Sequence, residues 1–136
     1  MATNRANNST HQSKTNMTMN TTDKLIFVNI KNSYEAMLNN DRNNPLFRET
    51  LYDCTRKYWP VADGKANAAT HILGCYHGKV IEVIRIQEFH IEPTGELAGR
   101  KVFEGMELPD SPYIGLDLHE IFDSLVYFRV KYYNLS

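Results

Sequence analysis

The chain is expected to fold as an α+β domain. Two helical segments stand near its start, a run of short strands follows, and the helices are not interleaved with the strands as a doubly wound sheet requires. The expected architecture is a small, mostly antiparallel sheet or a partly open β-barrel behind two N-terminal helices. Gly-marked bends between short strands are what keep the barrel alternative open.

The 136 residues fit one domain and leave no room for two ordinary ones. Residues 1–22 are rich in Asn, Thr and Ser and offer almost nothing to bury. Such a segment does not offset the entropy cost of ordering, so a disordered polar tail is expected there, with a single domain over 23–136. Met17 and Met19 are candidate alternative starts. The tail carries Arg5 and Lys14 and no acid before Asp23, a faint transit-peptide character without an amphipathic pattern.

Each element has a local reason. Lys24 to Ile30 is short, apolar and β-branched, which reads as a buried strand. Asn32, with Glu35 three residues on, matches a capping box for a helix through Leu38. Asn44-Pro45 reads as the start of a second helix, with Phe47, Leu51, Cys54 and Tyr58 on one face. That helix should stop at Trp59-Pro60. The stretch from Ala62 to Ala69 reads as a polar loop. Thr70–Tyr76 and Lys79–Phe89 read as strands joined by a tight turn at His77-Gly78. A strand is expected within Arg100–Leu108, a turn over Pro109–Gly115 and a helical turn within Leu116–Phe122. In the last strand Val126, Phe128 and Val130 alternate with Tyr127, Arg129 and Lys131, continuing to Tyr132 and Tyr133.

Composition excludes several function classes. The net charge is −1, and residues 24–136 hold 13 basic and 15 acidic residues, which is no general nucleic-acid coat. It leaves room for a local basic patch. Cys54 and Cys75 are too few for a disulfide scaffold and read as buried thiols of a cytoplasmic protein. No apolar run suits a membrane span. The phosphate loop, the dinucleotide glycine fingerprint, the serine elbow and the zincin helix are all missing. His90-Ile91-Glu92 lacks the downstream cysteine pair of a zinc deaminase. His71, Cys75 and His77 share one strand face, but residues so far apart along a strand do not close a four-ligand zinc site, so no metal and no cofactor are expected. His90 beside Glu88 and Glu92, and His119 beside Glu120, are generic pairs without a nucleophile or a third orienting group. They are the only support for a small enzyme.

Binding has better candidates. The outward face of the last strand would show Tyr127, Arg129, Lys131 and Tyr133, and aromatic residues interleaved with cations stack bases and neutralise phosphates. Arg56-Lys57-Tyr58-Trp59 places the only tryptophan after two cations. Arg85 interrupts the apolar run Val83-Ile84-Arg85-Ile86, where a charge needs a partner, solvent or a polar pocket. Arg100 and Tyr113 lie near Gly99 and Gly115, where backbone and ligand can approach closely.

Tyr58-Trp59-Pro60-Val61, the run Gly78 to Ile86, Gly99-Arg100 with Phe103-Glu104-Gly105, and Tyr113-Ile114-Gly115 together resemble the spacing of small PUA-like domains of the EVE and ASCH type. The pattern covers about half the chain and uses common residue types. The resemblance implies a compact β-barrel with flanking helices that binds RNA, modified bases or a nucleotide-like ligand in a pocket. It assigns that pocket to Trp59, Asn67, Arg85, Arg100 and Tyr113. The expected function is therefore a small non-catalytic module for nucleic acid or a nucleotide-like ligand. The alternative is a protein-interaction or structural protein that forms oligomers through an edge strand.

Overall fold

The computed structural model describes residues 21–126 and 128–136. Residues 1–20 of the expected tail over 1–22, and the expected face position of Tyr127, lie outside the described residues. Among the described residues, five strands and three helices follow one another in the order β1 (Leu25–Asn29), α1 (Lys31–Leu38), α2 (Leu51–Arg56), α3 (Asp63–Ala68), β2 (His71–Tyr76), β3 (Lys79–Ile91), β4 (Lys101–Glu107) and β5 (Val130–Tyr133). A 3₁₀ turn covers Leu118–Glu120. The α+β class holds.

The strands form one open sheet in the order β4-β3-β2-β1-β5. β1 and β2 are parallel, with Phe27 opposite Leu73, while β1–β5, β2–β3 and β3–β4 are antiparallel. β4 and β5 are the two edges and do not meet, so the sheet is mixed and mostly antiparallel, and it is not closed into a barrel. The parallel pair explains this. A parallel neighbour requires a crossover rather than a hairpin, and the three helices supply it between β1 and β2.

Strand alternation gives the sheet two buried faces. Ile26, Val28, Ile72, Ile84 and Phe103 face the helices together with Cys54, Trp59, Val61 and Ala66. Leu25, Phe27, Leu73, Val80 and Val83 face the other way, where Tyr113, Leu116 and Leu118 cover them. The segment after β4 is thus a third layer of irregular chain over the sheet.

Local chemistry sets the element ends. His77 and Gly78 have φ of 51° and 79°, the left-handed pair that a type I′ hairpin needs. The N-cap of α1 is Ile30, two residues before the expected Asn32, and it makes no side-chain cap bond, so the expected capping box does not form; Asn29 Oδ1 accepts from the Lys31 N–H at 3.1 Å instead. α2 starts at Leu51 and not at Pro45. Asn44 Oδ1 accepts from the Leu46 N–H at 2.9 Å and closes only a turn, whereas Thr50 Oγ1 accepts from Asp53 N–H at 3.0 Å as a true N-cap. The expected loop from Ala62 to Ala69 contains α3. Lys101 is 5% exposed, and its Nζ meets Asp63 Oδ1 at 2.8 Å, fastening the start of α3 to β4.

Glu82 is 4% exposed in the middle of β3. Its Oε1 accepts from the Val83 N–H at 3.0 Å, and its Oε2 has no partner among the described residues. Burial, and then the nearby Glu107 carboxyl, push its pKa from 4.5 up to about 8. Folded and unfolded chains both hold this proton below about pH 4.5, so the stabilisation is complete there. As the pH rises towards 8 the folded chain holds the proton more tightly than the unfolded one, and stability falls. Glu82→Gln should remove that fall, on the order of 2 kcal/mol between about pH 5 and 8. Urea titrations at the two pH values read it, and an unchanged pH dependence in the variant would contradict the assignment.

Candidate functional site

A hollow of about 470 Å³ opens at the C-terminal end of β1. Lys31, Arg48, Lys57, Arg100 and Arg129 line it, and no carboxylate does. Its apolar wall comes from Leu46, Tyr58, Trp59, Leu97 and Phe128. Five of the 13 basic residues of the 23–136 segment therefore surround one concavity. A cluster of one sign beside a low-dielectric wall concentrates an attractive field for anions.

Backbone pairing holds this arrangement together. Asn29 N–H donates to Arg129 O at 3.0 Å, and Asn29 Nδ2 donates to Phe128 O at 3.2 Å. These bonds set Phe128 and Arg129 beside the start of α1. The first turn of α1 carries no acid, and its Asn32 and Ser33 line the same hollow. The first N–H groups of a helix lack intrahelical partners and favour negative charge. Trp59 N–H donates to Lys101 O at 3.1 Å, and Lys101 N–H donates back to Trp59 O at 2.8 Å. This two-way bridge fixes Trp59 beside Arg100.

The cations differ in their freedom. Arg48 Nη1 donates to Phe47 O at 2.8 Å and to Pro45 O at 3.1 Å, so Arg48 is committed to shaping the loop. Lys31 Nζ lies 3.8 Å from Glu35. Arg100 and Arg129 make no ion pair among the described residues. Tyr58 is half-buried, with Arg48 at 5.2 Å and Lys57 at 5.4 Å from its ring centroid. Trp59 is 8% exposed, and its Nε1 donates to Thr55 O at 2.7 Å. Trp59 is thus a wall of the hollow and a core residue, and Tyr58 is the less buried of the two rings.

The five residues selected from the sequence do not converge on one pocket. Trp59 and Arg100 meet in the basic hollow. Tyr113 lines a separate cleft with His71 and Asp23. Arg85 is exposed and stands across the β2–β3 ladder from His71. Asn67 is exposed on α3. Lys31, Arg48, Lys57 and Arg129 complete the hollow's cationic lining, and of these Lys57 and Arg129 belonged to runs singled out from the sequence.

Other candidates are placed as follows. The last strand is shorter than expected, and its supposed outward face is partly covered. Lys131 Nζ lies 5.2 Å from the Phe122 ring centroid, and Tyr133 packs against the Leu25–Phe27 cluster. Arg129 precedes the strand and is exposed. His90 lies 3.7 Å from Glu104, and His119 lies 3.1 Å from Asp117. Both histidines are exposed, and neither lines the hollow or the cleft. Cys75 is buried, which pushes its thiol pKa up, whereas His77 stands exposed in the hairpin turn. Among the described residues no three His, Cys, Asp or Glu side chains converge as metal ligands, and no helix is long and apolar enough to cross a membrane. No family model matches the chain, and no curated protein or solved structure matches it significantly.

Proposed function

We propose that this protein is a binding module for single-stranded nucleic acid or a nucleotide-like ligand, and that the hollow between α1, Tyr58 and Arg129 is its site. The carrying observation is the set of five cations around an apolar, partly aromatic wall with no carboxylate in the lining. Phosphates match the cations, and a base matches Tyr58 and the aliphatic wall. The volume suits one nucleotide, and five cations exceed what one phosphate needs, which favours a short oligonucleotide. The resemblance to PUA-like domains points to the same ligand class, although the open sheet departs from the barrel it implies.

Fluorescence anisotropy with a labelled ten-nucleotide single strand tests this reading. Tyr58→Ala should weaken binding about tenfold, the usual scale for losing one stacked base. Arg85→Ala, remote from the hollow, should change little. Equal losses in the two variants, or no binding by the parent protein, would refute the assignment. Self-association through β5 is the second reading, because β5 is a sheet edge. Its four residues and Lys131 are features that discourage edge pairing.

A further inference from the structure

A second hollow, of about 350 Å³, adjoins the basic one. Arg48, Lys57 and Tyr58 line both, so these three residues divide one concavity from the other. Beyond the divide the second hollow is walled by Arg42 and Phe47.

The divide has the composition that a sugar–phosphate link needs. Arg48 stands 5.2 Å and Lys57 5.4 Å from the Tyr58 ring centroid, so two cations flank one aromatic ring. Lys57 forms no salt bridge among the described residues. Arg48 Nη1 donates to Phe47 O at 2.8 Å, which ties the divide to the backbone of the far wall. Two neighbouring bases can occupy the two hollows only if the phosphate between them passes over the divide, and cations there neutralise it.

The far wall suits a base. Phe47 is half-buried, and the Arg42 guanidinium lies 4.9 Å from its ring centroid. Aromatic rings and guanidinium planes both stack on bases. The two carboxylates of this lining are already answered. Arg42 donates to both oxygens of Glu49, at 2.8 and 3.1 Å, and Arg56 Nε donates to Asp53 at 2.7 Å. The cations left over are Arg48 and Lys57, the two shared with the basic hollow. Charge thus draws an anionic chain along the divide.

On the reading of the basic hollow as a nucleic-acid site, we propose that the second hollow is the subsite for the neighbouring nucleotide. The ligand is then a single strand of at least two nucleotides. One base lies in the basic hollow against Tyr58, the linking phosphate crosses at Lys57 and Arg48, and the next base stacks on Phe47. A mononucleotide fills only half of the site.

NMR of the isotope-labelled full chain, titrated with thymidine monophosphate and with the dinucleotide pTpT, tests the proposal. Both ligands should move the amide resonances of Arg100 and Arg129, and only pTpT those of Arg42 and Phe47. The dinucleotide should bind at least about fivefold more tightly, the lower end for one added stacked base. Phe47→Ala should abolish that gain and leave the affinity for thymidine monophosphate unchanged, which also reports that the variant is folded. Phe47→Tyr keeps a ring and should keep the gain. Equal affinity for the two ligands, a gain that Phe47→Ala leaves intact, or an equal loss of both ligands in that variant would overturn the second subsite and leave the basic hollow its ligand. No movement of Arg100 and Arg129 with either ligand up to roughly 10 mM would overturn both readings.

Discussion

Replacing Gly105 by alanine should destabilise the protein by more than about 3 kcal/mol, and so by a large part of the stability of a domain this size. Gly105 lies in β4 opposite Ile86, next to the irregularity in β3 between Ile86 and Glu88. A Cβ at this position would run into the backbone carbonyl of Arg85. Backbone in the middle of a paired strand cannot retreat as the end of a flexible side chain can. β3 is held by β2 on one side and β4 on the other. Gly105 is also clamped from the helical layer, where its N–H donates to the Tyr52 hydroxyl at 3.1 Å. A contrasting variant isolates the cause. Gly64 lies in α3, and an added Cβ there meets nothing within 4 Å. Gly64→Ala should therefore stabilise by about 0.5–1 kcal/mol through helix propensity and reduced freedom of the unfolded chain. Urea denaturation of both variants checks the pair. Similar effects from the two would show that the close approach at Gly105 is unimportant.

The second large effect is expected at the basic hollow. Arg100→Glu combined with Arg129→Glu should weaken binding of a short single strand by at least about a hundredfold at moderate salt. Two attractive contacts are lost, and two repulsive ones replace them in a concavity where the field is focused. Both residues lack ion-pair partners among the described residues, so their replacement strands no buried carboxylate. Thermal denaturation should move little. A collapse of stability in this variant would show that the arginines hold the fold together.

Much of the fold was legible because it follows from local rules. The β1 run is apolar from Leu25 to Val28, and the His77-Gly78 pair allows little but a tight hairpin. The start of α2 was misplaced because Asn44 satisfies the same local bond in a turn as in a helix cap, and only the next residues distinguish the two. α3 was hidden because its sequence, DGKANA, buries only Ala66 and so shows no apolar period. The parallel pairing of β1 and β2 depends on the crossover, which no single segment displays.

The site was legible only in part, and for a related reason. Arg100 and the Lys57-Tyr58-Trp59 run stood out as residue types. The hollow itself is assembled from chain as far apart as Lys31 and Arg129, joined by the bonds of Asn29 to Phe128 and Arg129. Slightly negative net charge concealed it, because a sum over the domain carries no information about position. Tyr113 was selected for a pocket and does line one, but of opposite polarity. His71 was weighed only as a metal ligand, since its contact with Asp23 is made only in space.

The salt dependence of oligonucleotide binding tests the central claim most directly. If phosphates occupy the basic hollow, the logarithm of the affinity falls linearly with the logarithm of salt concentration. The slope is about −0.7 for each phosphate neutralised on a single strand. Three to five engaged cations predict a slope between roughly −2 and −3.5, and Arg129→Ala should make it shallower by about 0.7. A slope near zero, or one that Arg129→Ala and Arg100→Ala both leave unchanged, would contradict the assignment of the hollow as the binding site.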